Sequence, residues 1–266
     1  MPTFTGKTFS TFYKNILGIN QTSNTGVDTT TRTVHDGAGN STAISLSDDV
    51  LMVQPVTDNT TRTLHVNNQG GDNIFSVDTD NSKVLIGAGQ VAANTGYVFF
   101  GANYIDISSF SPNKHYPIAF NTGAGGTTTN DVDFGTGTDP DDSFTTANTD
   151  SQYASQIVPM IWILPDNITI SSVTHIEGAD AATGDTTRMH LKSFDFTSGS
   201  TSCLTNGTLL AHNSDVTNAG NEQAYLTTWT VDSADVDANK AILCFFRSDS
   251  VNSDYSMTVT IKYFIR

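Results

Sequence analysis

The chain has 266 residues, enough for one large β-domain or for two smaller units with a sizeable core. Its 27 acidic and 12 basic residues give a formal net charge of −15, which repels phosphate and argues against nucleic acid and anionic membranes as partners. The abundant Asp, Asn, Ser, Thr and Gly favour turns and strands over helix interiors, so a helical bundle is not expected. No apolar run approaches the roughly 18–20 residues of a membrane helix, so membrane insertion is not expected either.

Residues 1–27 differ in composition from the rest of the chain. They contain two lysines and no acidic residue, whereas the chain as a whole is strongly acidic. A short basic segment dense in aromatic side chains predicts a docking arm for another protein. The candidate contact residues are Phe4, Lys7, Phe9, Phe12, Tyr13, Lys14, Ile16 and Leu17. The alternative is that this segment is simply the first strand of the domain that follows.

Residues 28–96 contain an internal repeat. The segment DTTTRTVH at residues 28–35 returns 30 residues later as DNTTRTLH at residues 58–65. Thr-rich segments of period two between Gly/Asn turns predict a repeated β-unit. Only two units of about 30 residues are present, and such repeats usually need three or more neighbours before their faces are covered. Further copies of the chain would supply them, which predicts a homotrimeric stalk that buries Val34, Leu46, Leu64, Val66, Ile74 and Val77.

Residues 97–266 form a succession of predicted strands separated by polar loops. Period-two alternation is clearest near the end, where Met257, Val259 and Ile261 alternate with polar residues. The candidate strands are residues 116–120, 157–164, 168–176, 188–196, 208–211, 224–231, 241–247 and 256–265. The predicted fold class is therefore all-β, a short trimeric β-repeat stalk followed by an antiparallel, jelly-roll-like β-sandwich. A long excursion at residues 121–155 is typical of a functional, inter-subunit or mobile loop.

An acidic, glycine-rich stretch within that excursion is the one candidate metal site. Asp131, Asp133, Asp139 and Asp142 offer the hard oxygen ligands that Ca²⁺ prefers. The spacing does not match an EF-hand, and a solvated acidic turn is the alternative. No other cofactor is predicted.

Motifs of catalysis are absent from the sequence, so no enzymatic activity is expected. It contains no phosphate-cradling glycine loop, no His-Glu-x-x-His and no Gly-x-Ser-x-Gly. His115, His175, His190 and His212 sit singly on predicted strands, where a core or surface role is the default. The two isolated cysteines, at positions 203 and 244, suit a protein made in a reducing cytoplasm.

Four stretches resemble virion structural proteins of tailed marine phages. They are residues 13–32, residues 36–47, the stretch IFSVDTDNSKVLIG at residues 74–87, and HYPIAF at residues 115–120. The third has the form x-Val-Asp-Thr-x-Asn-x-x-Val-x-Ile-Gly, which is common in phage fibre repeats. The resemblance implies a trimeric component of the virion surface, made in the host cytoplasm and without enzymatic residues.

Two locations on the virion fit this resemblance. With about two repeat units the chain would form only a short projection, which favours a head fibre or decoration protein docked to the major capsid protein, or another virion protein, by the N-terminal arm. The alternative is a tail fibre or other tail component that binds a host-surface glycan. Tyr225, Trp229 and Tyr255 are the candidate stacking residues for such a sugar, although Trp229 also fits a core position.

Overall fold

A computed structural model describes residues 13, 16–22, 26–87, 91–106, 110–120, 132–146, 152–180, 183–220, 223–250 and 254–266. The chain divides into two compact units, Met1–Asn94 and Thr95–Arg266. A strand that begins at Thr95 contains the predicted boundary between residues 96 and 97. Among the helices of these ranges, none is long and apolar enough to cross a membrane.

The N-terminal unit contains two four-stranded antiparallel sheets, each with its strands in chain order. The first comprises β1 (Gly18–Ile19), β2 (Arg32–His35), β3 (Ser41–Leu46) and β4 (Leu51–Val53). The second comprises β5 (Leu64–Asn67), β6 (Asn73–Asp78), β7 (Lys83–Ile86) and β8 (Val91–Ala92).

The turns of the two sheets show that the units are equivalent. In the β2–β3 turn Asp36 donates its N–H to the Asn40 carbonyl at 3.0 Å, and in the β5–β6 turn Asn68 does the same to Asp72 at 3.0 Å. The fourth residue of each turn is a glycine with φ near +90°, a left-handed conformation that side chains rarely adopt. These turns lie 32 residues apart, so the structural repeat is displaced by two residues from the 30-residue echo in the sequence.

The C-terminal unit is built on eight main strands. In chain order they are β9 (Thr95–Asp106), β10 (Tyr116–Phe120), β12 (Ile168–Asp180), β13 (Thr186–Phe196), β14 (Leu204–His212), β16 (Gln223–Thr228), β19 (Lys240–Ser248) and β20 (Asp254–Ile265). Short strands flank them: β11 (Trp162–Ile163), β15 (Val216–Thr217), β17 (Thr230–Val231) and β18 (Asp235–Val236). One short helix, α1 (Ala154–Ile157), runs into a 3₁₀ turn, Val158–Met160.

The pairing of the main strands identifies a jelly roll. The first pairs with the eighth, the second with the seventh, the third with the sixth and the fourth with the fifth. The first sheet has the order β16-β12-β20-β9 and the second the order β10-β19-β13-β14, and the end of β10 also pairs with the middle of β9. Two antiparallel sheets wound in nested pairs in this way form the jelly-roll sandwich. The all-β, jelly-roll-like prediction is confirmed.

The second sheet is buried on both of its faces. Along β19, Ile242, Cys244 and Phe246 point into the core between the two sheets. The alternate residues Leu243 and Phe245 join a second core, on the outer side of this sheet, with Phe134 and Phe144 of the excursion. An additional layer covers this outer face; it consists of residues 132–146 with α1 and its 3₁₀ turn. Both faces of β19 are therefore buried, and the strand is a continuous apolar run.

Two strand predictions were wrong. Residues 157–164 were predicted as one strand, but Ile157 ends α1, Pro159 lies in the 3₁₀ turn, and only Trp162–Ile163 are extended. The first strand of the jelly roll, β9, was missed because two glycines and an asparagine interrupt its apolar pattern. The number of predicted strands was right only because these two errors offset each other.

The outer layer gives a stability prediction. Phe134 is 1% exposed, and its ring lies 4.7 Å from that of Phe245 and 5.3 Å from that of Phe144, measured between centroids. We expect Phe134→Ala to lower the free energy of unfolding by about 3–5 kcal/mol, because a buried ring is replaced by a cavity. Urea denaturation measures this loss. Phe196→Ala, at a position 43% exposed, is the matched control and should change it little. Equal effects of the two variants would mean that the outer layer does not unfold together with the sandwich.

Candidate functional site

The acidic excursion folds over basic side chains of the second sheet. Asp133 accepts a hydrogen bond from Lys114 at 2.8 Å. Lys192, a buried residue of β13, donates to the carboxylate of Asp142 and to the Pro140 carbonyl. Asp139 reaches the buried His190, with 3.5 Å between Oδ1 and Nε2. The sequence predicted the acidic cluster but not these partners, which come from distant parts of the chain.

These contacts bear on the predicted calcium site. The three described carboxylates each face a different nitrogen instead of a common centre, and Asp131 lies outside the described residues. No group of three or more His, Cys, Asp or Glu side chains that could hold a metal ion occurs in the ranges given above. Calcium binding stays a prediction, and the donors around this loop do not favour it.

Three histidines form a row beneath the excursion. The rings of His115 and His190 lie 4.9 Å apart in an edge-to-face arrangement, and those of His190 and His212 lie 6.4 Å apart. His190 and His212 are directly opposite each other on β13 and β14, so strand register brings them together. No local pattern in the sequence indicates this row, because its members are up to 97 positions apart.

Burial holds the centre of this row uncharged. The Nε2–H of His115 donates to the Gly137 carbonyl at 3.0 Å, whereas neither ring nitrogen of His190 has a hydrogen-bond partner among the described residues. Burial lowers the pKa of His115 to about 4, although the Gly137 hydrogen bond opposes this. Burial, with His115 and Arg188 nearby, lowers the pKa of His190 to about 2. His212 lies at the partly exposed end of the row, with its Nδ1 2.8 Å from Asp232.

A second polar cluster is enclosed by the core of the sandwich. Trp229 donates its indole N–H to Nδ1 of His175 at 2.7 Å, which places the proton of the neutral imidazole on Nε2. That nitrogen faces the carboxylate of Glu177 at 3.7 Å, and Glu177 accepts a hydrogen bond from Thr187 at 2.9 Å. All four residues are buried. Because the cluster is enclosed, it fits a role in holding the two sheets in register rather than one in substrate chemistry.

The predicted glycan residues do not form a platform. Tyr255 and Trp229 are 1% and 5% exposed and belong to the core between the sheets. Stacking of a sugar on these two rings is therefore excluded. Tyr225 is half-buried on β16, where its hydroxyl contacts Gln223 and accepts a hydrogen bond from the Ala219 N–H.

Five of the six predicted stalk residues lie on equivalent faces of the two N-terminal sheets. Register and alternation put Val34 and Leu46 on one face of the first sheet, and Leu64, Val66 and Val77 on one face of the second. Ile74 lies on the opposite face, because it is three positions, an odd number, from Val77 in β6.

These apolar faces are largely uncovered within a single chain. The first also carries Ile44, Leu51 and Val53, and the second Phe75, Val84 and Ile86. Val34 is the one buried hydrophobic residue in the described part of this unit, whereas Leu51 is 69% and Ile86 52% exposed.

Little of the predicted docking arm is described. Phe4, Lys7, Phe9, Phe12 and Lys14 lie outside the described residues. Tyr13, Ile16 and Leu17 are 51%, 36% and 65% exposed. Tyr13 and Ile16 also line a shallow cavity of about 290 Å³ with Gly18, Ile19 and part of the β2–β3 turn.

Comparison with known proteins adds no assignment. No protein-family model matches the chain, and no curated protein is significantly similar to it.

The histidine row gives a pH prediction. The pKa values of His115 and His190 are lowered on folding, so protons bind the unfolded chain more readily as the pH falls below about 6.5. For each of these two histidines, the free energy of unfolding should fall by up to about 1.4 kcal/mol per pH unit as the pH is lowered from 6.5 to 4. His190→Gln removes one such residue and should make the decline between pH 6.5 and 4 shallower.

Tryptophan fluorescence during urea denaturation reports the unfolding of the C-terminal unit, because Trp162 and Trp229 both lie in that unit. His65→Gln, in the other unit, is the control and should keep the slope of the unaltered protein. An unchanged slope in His190→Gln would contradict the neutral, buried state of His190.

Proposed function

We propose that the protein is a non-enzymatic, homotrimeric component of the virion surface of a tailed bacteriophage. In this proposal it is a head fibre or decoration spike, with its N-terminal arm docked to the capsid and its sandwich facing outward. The resemblance of four stretches of the sequence to phage virion proteins supplies the viral part of the proposal. The apolar faces of the N-terminal sheets support the oligomeric part.

The uncovered apolar faces carry this proposal. Each N-terminal sheet presents five or six apolar side chains on one face, and only Val34 among the apolar residues described in this unit is buried. Burying a valine, leucine or isoleucine side chain contributes about 1.5–3 kcal/mol, or roughly half of that when the side chain is already half-covered. Packing these faces against other copies would give the unit the core that one chain does not provide.

The buried polar groups support a structural role rather than an enzymatic one. The Trp229–His175–Glu177 chain is enclosed by the core, and His190 lies beneath the outer layer at 0% exposure. Asp133 and Asp142 of the excursion are paired with Lys114 and Lys192. None of these groups offers an accessible pair of acid and base on which a substrate could bind.

The oligomeric state is the first test. We expect light scattering of the full chain to give a mass about three times 28.4 kDa. Val66→Asp should lower that mass, because Val66 lies on the apolar face of the second sheet and is 46% exposed in a single chain. Val56→Asp is the matched control and should leave the mass unchanged, because Val56 is 59% exposed and belongs to the segment that connects β4 to β5. A monomeric full chain at micromolar concentration would overturn the trimer.

The docking role of the arm needs a separate test. Deletion of residues 1–25 should abolish incorporation into phage particles, because it removes both lysines and all four aromatic residues of the arm. Electron microscopy of labelled particles would also distinguish capsid from tail. Full incorporation of the truncated protein would contradict docking through this arm, and label confined to the tail would favour the tail-fibre alternative.

A further inference from the structure

The outer face of the first sheet is an uncovered surface with an unusual charge distribution. The corresponding face of the second sheet is covered by the chain's own outer layer. On the first sheet, the outward residues of β16, β12, β20 and β9 are set by register, and the row Leu226–Ile176–Thr258–Gly101 crosses all four strands. The next row is Thr228–Thr174–Thr260–Phe99.

Large apolar side chains are exposed on this face, which here is called the threonine face. Leu226 is 79%, Tyr97 56%, Ile176 52% and Phe99 43% exposed. The positions between these residues are occupied by threonine, serine, alanine and glycine. Such a surface costs little to dehydrate, because its polar groups are small hydroxyl groups that lie among apolar ones.

Among the described residues of the threonine face, charge lies at its two ends. One end carries Lys262, which lies in a row with Ser172 and Tyr97. Beyond it, Asp235 of β18 lies opposite Thr169 and is paired with Arg266. The other end carries Asp180 and Asp254, which are directly opposite each other on β12 and β20, and Asp106 of β9 is opposite Asp254 in the same row. None of Lys262, Asp180 and Asp254 forms an ion pair with a residue that the structure describes. The outward positions of β20 between Lys262 and Asp254 are Ser256, Thr258 and Thr260, none of which is charged.

We propose that the threonine face pairs with the threonine face of a second copy, with the two sets of strands running in opposite directions. A two-fold axis in the plane between the sheets, perpendicular to the strands, would place Lys262 of each copy over Asp180 and Asp254 of the other. The same patch then serves both partners, as a two-fold interface requires. The opposite arrangement, with like ends together, would place the lysines against each other and the aspartates against each other.

The net charge of the chain favours this surface over others for self-association. Two copies with a charge of −15 each repel one another, so a contact is favoured where acidic residues are absent from the centre. Charge depletion at the centre of a patch with aromatic residues present is also typical of interface cores. Four strands over the length from Lys262 to Asp254 offer about 500 Å² per copy, below the roughly 800 Å² of a standard interface. The pairing is therefore weak and dependent on concentration.

Sedimentation velocity of the full chain over a range of concentrations tests the pairing. We expect a reversible doubling of mass, counted from whichever oligomer the N-terminal unit forms. Ile176→Asp should abolish the doubling, and Ile163→Asp, at a 46% exposed position on the short strand β11, should not. Loss of the basal trimer would contradict the proposed function without affecting this pairing, and the absence of any doubling would overturn the pairing alone. Equal effects of both variants would also overturn it.

A charge reversal tests the orientation. Lys262→Asp alone and the pair Asp180→Lys with Asp254→Lys should each weaken the doubling at low salt, since like charges would then face each other at both ends. The triple variant should restore it, because the attraction is re-established with its signs exchanged. If the triple variant stays as weak as its parents, the antiparallel arrangement is wrong. If a glycan or another protein covers this face instead, the doubling is absent at every concentration.

Discussion

Burial of both faces of the second sheet is the constraint on which the C-terminal unit depends. Because Leu243, Phe245 and Phe194 point away from the core between the sheets, a two-layer sandwich would leave them in water. Residues 132–146 and the short helix supply the missing layer. Close backbone approach is part of this arrangement: a Cβ on Gly207 would lie 2.8 Å from Cα of Asp142. The excursion is thus a structural layer in its described part, rather than a loop added to a completed fold.

Polar groups are enclosed on both sides of that sheet, and their chemistry differs. Inside the sandwich, Glu177 has a hydrogen-bond donor in Thr187 and a neutral imidazole within 3.7 Å. Beneath the outer layer, burial and the nearby His115 and Arg188 oppose the protonation of His190, although the Asp139 carboxylate lies 3.5 Å from its Nε2. An unpaired buried polar side chain costs stability. Because the outer layer covers His115 and His190, its stability depends on these histidines remaining neutral.

The two units differ in how much of their apolar surface is buried within one chain. The C-terminal unit encloses two apolar clusters within one chain. The N-terminal unit has apolar faces of similar character, but its small four-stranded sheets leave most of them half-exposed. The threonine face lies between these extremes, since its small hydroxyl side chains are compatible with either water or a partner. Assembly with other copies is the simplest physical response to such surfaces.

Local pattern in the sequence determined the all-β class, the repeat, and most long strands, because turn residues and period-two alternation are properties of neighbouring positions. It also placed five of six stalk residues on equivalent faces. The offset at the turns is nevertheless 32 residues instead of 30, because Val66 and Asn67 separate His65 from the second turn, whereas Asp36 follows His35 directly. Only the tertiary structure decided that β9 is the first jelly-roll strand, that residues 157–164 are mostly not extended, and that Trp229 and Tyr255 are core residues. The histidine row, the partners of the acidic excursion and the threonine face were likewise decided there. Each depends on pairings between strands far apart in the chain, and no pattern within one segment encodes which distant strand will lie beside it.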